Sequence, residues 1–431
     1  MQVKRREKQI LFLCICYFMY VFFYGIIVKI TISNNLLFQI KTYIPEVLLL
    51  VIMIECVMQG KLHIKKATFY LLTYSILVFI FNLFSFGLNE QALYLVRDIY
   101  IPLFAFAFLI EAKITEYGTE YFFDKIIPLL KIYLVLGLTL AVLEQIRGWE
   151  WTSQFYTGYS FYGQDPYSKV KIAHNLGLLR APSLSGNFAT FGYYCLIADI
   201  IIRSRTKTTW KRLLWDAITL VCMVLATNKS AVVAFAVIII LGGTSVIRSK
   251  SARLNKFIIA GVIAIVLVSS VWLFGDNSDG SSYLTGLFQR FDVWNQLTDQ
   301  VTWPEMLFPY RQFSYGTGAE GAIGFWDNTY FYFLFTQGIV GVALWFVILK
   351  DKYKNGMQAK DETIRLAVYY MTIALLVLGI TVNVTQGRGF FSLYLVFLGI
   401  ARSIRGGVLQ RLINWLMRHR PILFRDRRCV A

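Results

Sequence analysis

The chain has 431 residues, of which 57% are hydrophobic and only 16% charged, where a soluble domain carries about a quarter charged residues. That balance excludes a soluble enzyme and a disordered chain. The formal net charge of +18 does not indicate nucleic acid, because the basic residues fall in short clusters between apolar runs and no nucleic-acid motif accompanies them.

Lys4, Arg5, Arg6 and Lys8 precede an apolar run at about 10–30. The run is longer than a signal-peptide core, and no small-residue cleavage site follows, so it reads as a first membrane span. Further runs near the length of a span follow at 43–58, 67–88, 93–110, 126–146, 187–202, 213–227, 230–247, 257–274, 328–349, 363–382 and 389–400. The expected architecture is a single all-α polytopic membrane domain over 1–431 with twelve transmembrane helices. With a cytoplasmic N-terminus, the inner segments hold 31 of the 43 Lys and Arg residues. This positive-inside bias predicts both termini in the cytoplasm. Two long loops fall on the outer side, at about 147–186 and 275–327. Both are rich in aromatic residues, among them Trp151, Tyr156, Trp294 and Trp303. The two halves show none of the symmetry expected of a repeat-built transporter. The basic, partly amphipathic tail at 402–431 suits a helix on anionic lipid.

Several motifs fail on context. Gly316, Gly318 and Gly321 spell GxGxxG, but they sit in an outer loop, not between a strand and a helix. There is no P-loop, HExxH, GxSxG or DxD. The six cysteines form neither a disulfide framework nor a CxxC pair. His63, His174 and His419 are scattered, so neither a metal nor a cofactor is expected.

The informative residues are cations on the outer side, where positive charge is normally depleted. Arg180 precedes the run at 187–202, Lys229 lies in the tight turn between two runs, and Arg290 and Arg311 lie in the second long loop. Arg388 lies between the last two runs. Each is either a solvated charge that reaches phosphate headgroups or part of a pyrophosphate site. Arg offers a donor fork and Lys a point charge. Preorganised cations would stabilise a departing pyrophosphate without a metal. Asp327 and Asn328 open the tenth run. They read either as a helix N-cap or as a carboxylate and amide that take a proton from, or orient, a sugar hydroxyl. Trp294 and the other loop aromatics either stack on sugar faces or form the interfacial belt.

In this order the residues resemble the bacterial superfamily of O-antigen ligases and Wzy-type polysaccharide polymerases. The resemblance covers about 180–400. Arg180 with Pro182, Gly186 and Asn187 is similar to the family's Arg-containing segment before a span. Thr227-Asn228-Lys229-Ser230 resembles its T-x-S-R turn, with the basic residue shifted. Arg290 and Trp294, then Leu307-Phe308 and Gly316-Thr317-Gly318, resemble its R…W…lfG-x-G loop. Asp327-Asn328-Thr329-Tyr330 with Gly338-Ile339-Val340-Gly341 resembles its D/H-N-x-Y…G-x-x-G span. Ligases usually carry His at the position of Asp327, so the polymerase branch is favoured.

The resemblance implies a GT-C-like fold in the bacterial plasma membrane and an undecaprenyl-pyrophosphate-linked donor. The donor's glycan would move onto the non-reducing end of another lipid-linked repeat unit of a capsule, O-antigen or exopolysaccharide, with no metal and no soluble nucleotide sugar. In that reading Arg180, Lys229, Arg290 and Arg388 bind the pyrophosphate, and Arg290 and Asp327 are catalytic. Asn328, Trp294 and Arg311 bind or orient the sugar. Expected partners are the lipid-linked glycans and membrane lipids, with a chain-length regulator and a flippase as candidates, and no nucleic acid. Two alternatives stay open: a ligase of the same fold, and a flippase or transporter of lipid-linked oligosaccharide.

Overall fold

The structure is a computed structural model. It describes residues 5–31, 33–58, 66–112, 114–156, 174–175, 177–243, 296, 299, 301–314, 328–359, 361–381, 384 and 390–401. The chain forms α1 (Arg5–Phe22), α2 (Tyr24–Thr31), α3 (Asn35–Ile40), α4 (Ile44–Met58), α5 (Lys66–Phe86) and α6 (Glu90–Leu95). A π-helical segment, Val96–Tyr100, joins α6 to α7 (Ile101–Glu111), and α8 spans Glu116–Phe155. A two-residue hairpin follows, β1 (His174–Asn175) and β2 (Leu178–Leu179), then a 3-10 turn at Ser183–Ser185. Beyond it lie α9 (Phe188–Arg205), α10 (Thr209–Leu225), α11 (Lys229–Gly243), α12 (Trp303–Leu307), a 3-10 turn at Gln312–Ser314, α13 (Thr329–Gly356), α14 (Glu362–Thr381) and α15 (Phe390–Ile400).

The protein is a mostly helical membrane protein. Among the described residues, five helical stretches are long and apolar enough to cross a membrane: Lys66–Phe86, Glu90–Glu111, Glu116–Phe155, Thr329–Gly356 and Glu362–Ile380. The pair α1 and α2 makes a sixth if it is one span. Their outward faces stay apolar in the folded chain, as at Leu77, Phe84, Leu136, Phe346 and Val347, which is the surface a lipid environment requires. The expected runs at 43–58, 213–227, 230–247 and 389–400 are occupied by shorter helices, of 15, 17, 15 and 11 residues. The run at 257–274 lies outside the described residues.

Two breaks add detail to the expected runs. The first run is not one straight helix: α1 and α2 meet at an angle of 71°. The bend lays Gly25 against Ser185 and Gly186, where any Cβ would collide with their backbone. Helix α8 continues to Phe155 through a break at Gly148, which takes a left-handed φ of 77°, open to glycine at little cost.

Short polar side chains start the helices. Asn34, Asn89, Thr115, Asn187, Asn228 and Asn328 each accept a backbone N–H from the first turn that follows, as caps do. Helix α9 is the centre of the bundle. It packs on α8, α10 and α14, and almost its whole circumference is buried.

The bundle has two unlike ends. One carries Glu7, whose carboxylate accepts from Thr115 N at 2.6 Å and from Thr115 Oγ1 at 2.8 Å. It also carries Arg203 paired with Asp216 at 2.5 Å and Arg205 paired with Asp124 at 2.9 Å. This is the end predicted to be cytoplasmic. The other end carries Arg180, Lys229, Arg311 and Asn328.

Candidate functional site

Residues 178–186 form a strap across the second end, fastened to α8 by consecutive side chains. Gln145 closes two hydrogen bonds with the Leu179 backbone: its Nε2 donates to Leu179 O at 2.5 Å, and its Oε1 accepts from Leu179 N at 3.1 Å. The buried carboxylate of Glu144 accepts from Ser183 N at 3.1 and 3.2 Å and from the Tyr156 hydroxyl at 2.7 Å. Ser183 Oγ donates to Gly137 O at 2.8 Å, and the hydroxyls of Tyr133 and Ser185 lie 2.9 Å apart. On the far side, Ala181 N donates to Leu225 O at 3.0 Å. The strap is thus fixed between α8 and the end of α10.

Arg180 sits in this strap, half-buried. Its Nε donates to Thr227 Oγ1 at 3.1 Å, and its guanidinium lies 3.5 Å above the Phe188 ring. Two contacts therefore fix both the direction and the plane of the group. Thr227 belongs to the turn between α10 and α11 and adopts a φ of 49°. That conformation is unfavourable for a β-branched residue and costs about 1–3 kcal/mol. Next to it, Asn228 Nδ2 donates to Ala189 O at 2.7 Å, and its Oδ1 caps α11 through Ala231 N at 3.0 Å. The turn can sit this close to α9 because residue 192 is glycine. A Cβ there would come within 2.5 Å of the Asn228 Cβ.

Lys229 opens α11, where the helix dipole already places positive potential. Arg180 is close enough for its charge to act on Lys229. Two cations and a helix N-terminus are thus brought together by a strained turn and a clamped strap. Positive charge and the start of a helix share one place in the fold.

The other candidate residues are distributed differently. Arg311 lies at the same end but on other elements. Its Nε and NH2 groups each reach the buried Glu305 carboxylate at 2.6 Å. Its neighbour Gln312 is fixed by Asn82, Tyr100 and Thr336. Asn328 is the cap of α13, accepting from Tyr330 N at 2.9 Å and Phe331 N at 3.2 Å, while its Nδ2 donates to Ile380 O at 3.1 Å. Asp327, Arg290, Trp294 and Arg388 lie outside the described residues. The glycines of the α13 motif have a packing reason. A Cβ on Gly338 would approach Leu307 O to 2.7 Å, and one on Gly341 would approach the Tyr74 ring to 2.9 Å.

Sequence reasoning missed Glu144, Gln145 and Phe188, which hold Arg180 in place. It also missed Arg97 and Asp98, an ion pair at 2.6 Å within the run at 93–110. Their signal was present: two adjacent charges inside an apolar span are rare without a role. Among the described residues, no group of three or more His, Cys, Asp or Glu side chains is placed to hold a metal ion. Compared with known proteins, the chain matches no family model, no curated sequence and no solved structure.

Proposed function

We propose that this protein is a polymerase of undecaprenyl-pyrophosphate-linked oligosaccharide repeat units, acting at the outer face of a bacterial plasma membrane. The observation that carries the reading is the convergence of Arg180, Lys229 and the α11 N-terminus at the end opposite the Arg203–Asp216 and Glu7–Thr115 contacts. A diphosphate carries the charge such a cluster accommodates, and a membrane-embedded carrier brings it to that depth. In this reading the twelve spans, the GT-C-like fold and the cytoplasmic termini hold as inferred from sequence.

The chemistry is displacement at a sugar carbon. A hydroxyl of the acceptor glycan attacks the anomeric carbon of the donor, and the bond to the pyrophosphate oxygen breaks. Negative charge grows on the leaving diphosphate, and Arg180 and Lys229, joined by Arg290 and Arg388, stabilise it. Donors fixed before the reaction stabilise such charge without reorganising. Asp327 orients the acceptor or takes its proton, and Asn328, Trp294 and Arg311 shape the sugar side.

The deciding experiment uses full-length protein in nanodiscs with lipid-linked repeat units from a strain lacking the gene. The expected result is chain lengthening without a sealed membrane, lost in Arg180→Ala. Binding of undecaprenyl pyrophosphate is expected to weaken in the same variant. In cells, loss of the gene should leave single repeat units. Long unattached chains would assign the protein to ligation instead, and transport without chain lengthening would end the polymerase reading.

A further inference from the structure

Helices α9 and α10 pack together, and two carboxylates lie between them. Asp199 sits near the end of the apolar run at 187–202, and Asp216 near the start of the run at 213–227. Both are thus at the end predicted to be cytoplasmic. Asp199 is 0% exposed and Asp216 7%. Carboxylates are expensive within apolar helices, and those that are kept there mark sites. Each is held through one oxygen only. Asp216 Oδ2 accepts from Arg203 NH1 at 2.5 Å, and Asp199 Oδ1 accepts from Thr219 Oγ1 at 3.5 Å. The other two oxygens, Asp199 Oδ2 and Asp216 Oδ1, are buried and have no hydrogen-bond partner. The two side chains lie within hydrogen-bonding reach of each other.

An ionised carboxylate only accepts, so two of them bond to each other only through a proton. One proton satisfies both free oxygens. It also lowers the buried charge by one, so that Arg203 balances what remains. Two ionised groups at this range would repel across a medium that screens them poorly. The surrounding elements supply Cys195 of α9, Arg212 of α10 and Tyr370 of α14 within electrostatic reach of the acids and of Arg203. Arg212 turns its NH2 group away, to Thr206 O at 3.1 Å. On the α8 side, Lys131 lies 5.3 Å from the Trp215 ring, and Leu134 O accepts from Cys222 Sγ. A hard divalent cation takes about six or more oxygen ligands, and only two oxygens stand free here.

We propose that Asp199 and Asp216 form a proton-binding site, with one proton on Asp199 Oδ2 donated to Asp216 Oδ1. Arg203 decides which acid carries it: the guanidinium stabilises the ionised form of Asp216, so Asp199 is the acid. The binding step is a single transfer, in which a hydronium ion gives its proton to the Asp199 carboxylate and leaves water. The pair meets the cytoplasmic side through Arg203, one helical turn further along α9 and 9% exposed. The site lies at the end opposite Arg180 and stands apart from the polymerase reading.

The test uses full-length protein in nanodiscs at neutral pH. It reads the infrared carbonyl band of a protonated carboxylic acid, with exchange into heavy water as the marker of its proton. The difference spectrum between wild type and Asp199→Asn should contain one such band, lost in the variant. Asp199→Asn reproduces the proposed geometry, with Nδ2 donating to Asp216 Oδ1 and Oδ1 still accepting from Thr219. It should melt within about 2 °C of wild type. Asp216→Asn leaves Arg203 without its carboxylate and should melt about 5 °C lower or more. A difference spectrum without an acid band overturns the proposal, and so does Asp199→Asn melting as low as Asp216→Asn. Where Asp199→Asn does not fold, Thr219→Val decides. It keeps both acids and should shift the band to higher frequency, because Asp199 Oδ1 loses its donor; an unmoved band overturns the proposal. A melting temperature that rises with added sodium or potassium in wild type and not in Asp199→Asn makes the pair a cation site and also overturns it.

Discussion

Two arginines at the same end of the bundle are held in opposite ways. Arg311 lays its fork along the buried carboxylate of Glu305, so its charge is answered within the fold. Arg180 donates to a hydroxyl, rests on an aromatic face, and stands beside Lys229 and a helix N-terminus. The first arrangement joins α12 to the turn that follows it. The second ties the strap to the turn between α10 and α11 and to the start of α9. In sequence both are outer-side arginines; what separates their roles is the partner that folding delivers.

The largest effect is expected where that contrast is removed. Arg180→Ala should lower chain lengthening by about 100–1,000-fold, the scale of losing one preorganised donor to a developing anion. Arg180→Lys should recover only part, since a point charge does not replace a planar fork on Phe188. Rates with lipid-linked repeat units measure both. Equal activity in Arg180→Ala and wild type would erase the distinction between the two arginines.

The opposite behaviour is expected on the Arg311 side. Glu305→Ala leaves the guanidinium without its buried carboxylate. It should destabilise the protein by roughly 2–3 kcal/mol, below the full value for a buried pair because Arg311 keeps some exposure. Thermal unfolding in detergent reads this. Binding of undecaprenyl pyrophosphate by the folded fraction should match wild type. Weakened binding there would place Arg311 with Arg180 after all.

Gly192→Ala tests whether the position of the turn matters. The added methyl meets Asn228, and overpacking of this kind costs about 1–3 kcal/mol. The turn carrying Thr227 and Lys229 should shift away from Arg180. Carrier affinity should fall by roughly tenfold, which corresponds to about 1.4 kcal/mol. Gly177→Ala is the control on the hairpin: a Cβ there meets nothing within 4 Å, although its φ of 73° strains the chain. Its effect should be on stability more than on binding.

The helical class and the positions of most apolar runs were legible in the sequence, because they depend on residue type over a window. The hydrogen bond from Arg180 to Thr227 was not, since it joins residues 47 positions apart. The bend after Phe22 was not legible, because it answers to the approach of Gly186 from far along the chain. Nor was the extension of α8 past Gly148, since a glycine that breaks a helix and one that merely kinks it look alike. Glu144 and Gln145 lay at the end of an apolar run and read as its border, although folding turns them into the clamp of the strap. Arg97 and Asp98 sit side by side in a run that is otherwise apolar, so the window average hides two charges that neutralise each other.

A loss of affinity no larger than that of Gly192→Ala gives the sharpest test of the comparison. Lys229 adds a point charge at the start of α11, so Lys229→Gln should weaken carrier binding by about tenfold, or 1.4 kcal/mol. It should leave the fold intact and the melting temperature no lower than that of wild type, since the change removes a like charge beside Arg180 and keeps a polar side chain at the start of α11. Unchanged stability with loss of affinity is the signature of a residue kept for a ligand and not for packing. The salt dependence should move with it: each cation removed from the cluster flattens the decline of carrier binding with ionic strength. If Lys229→Gln instead lowers stability and leaves binding untouched, the second cation serves the turn, and Arg180 stands alone at the strap.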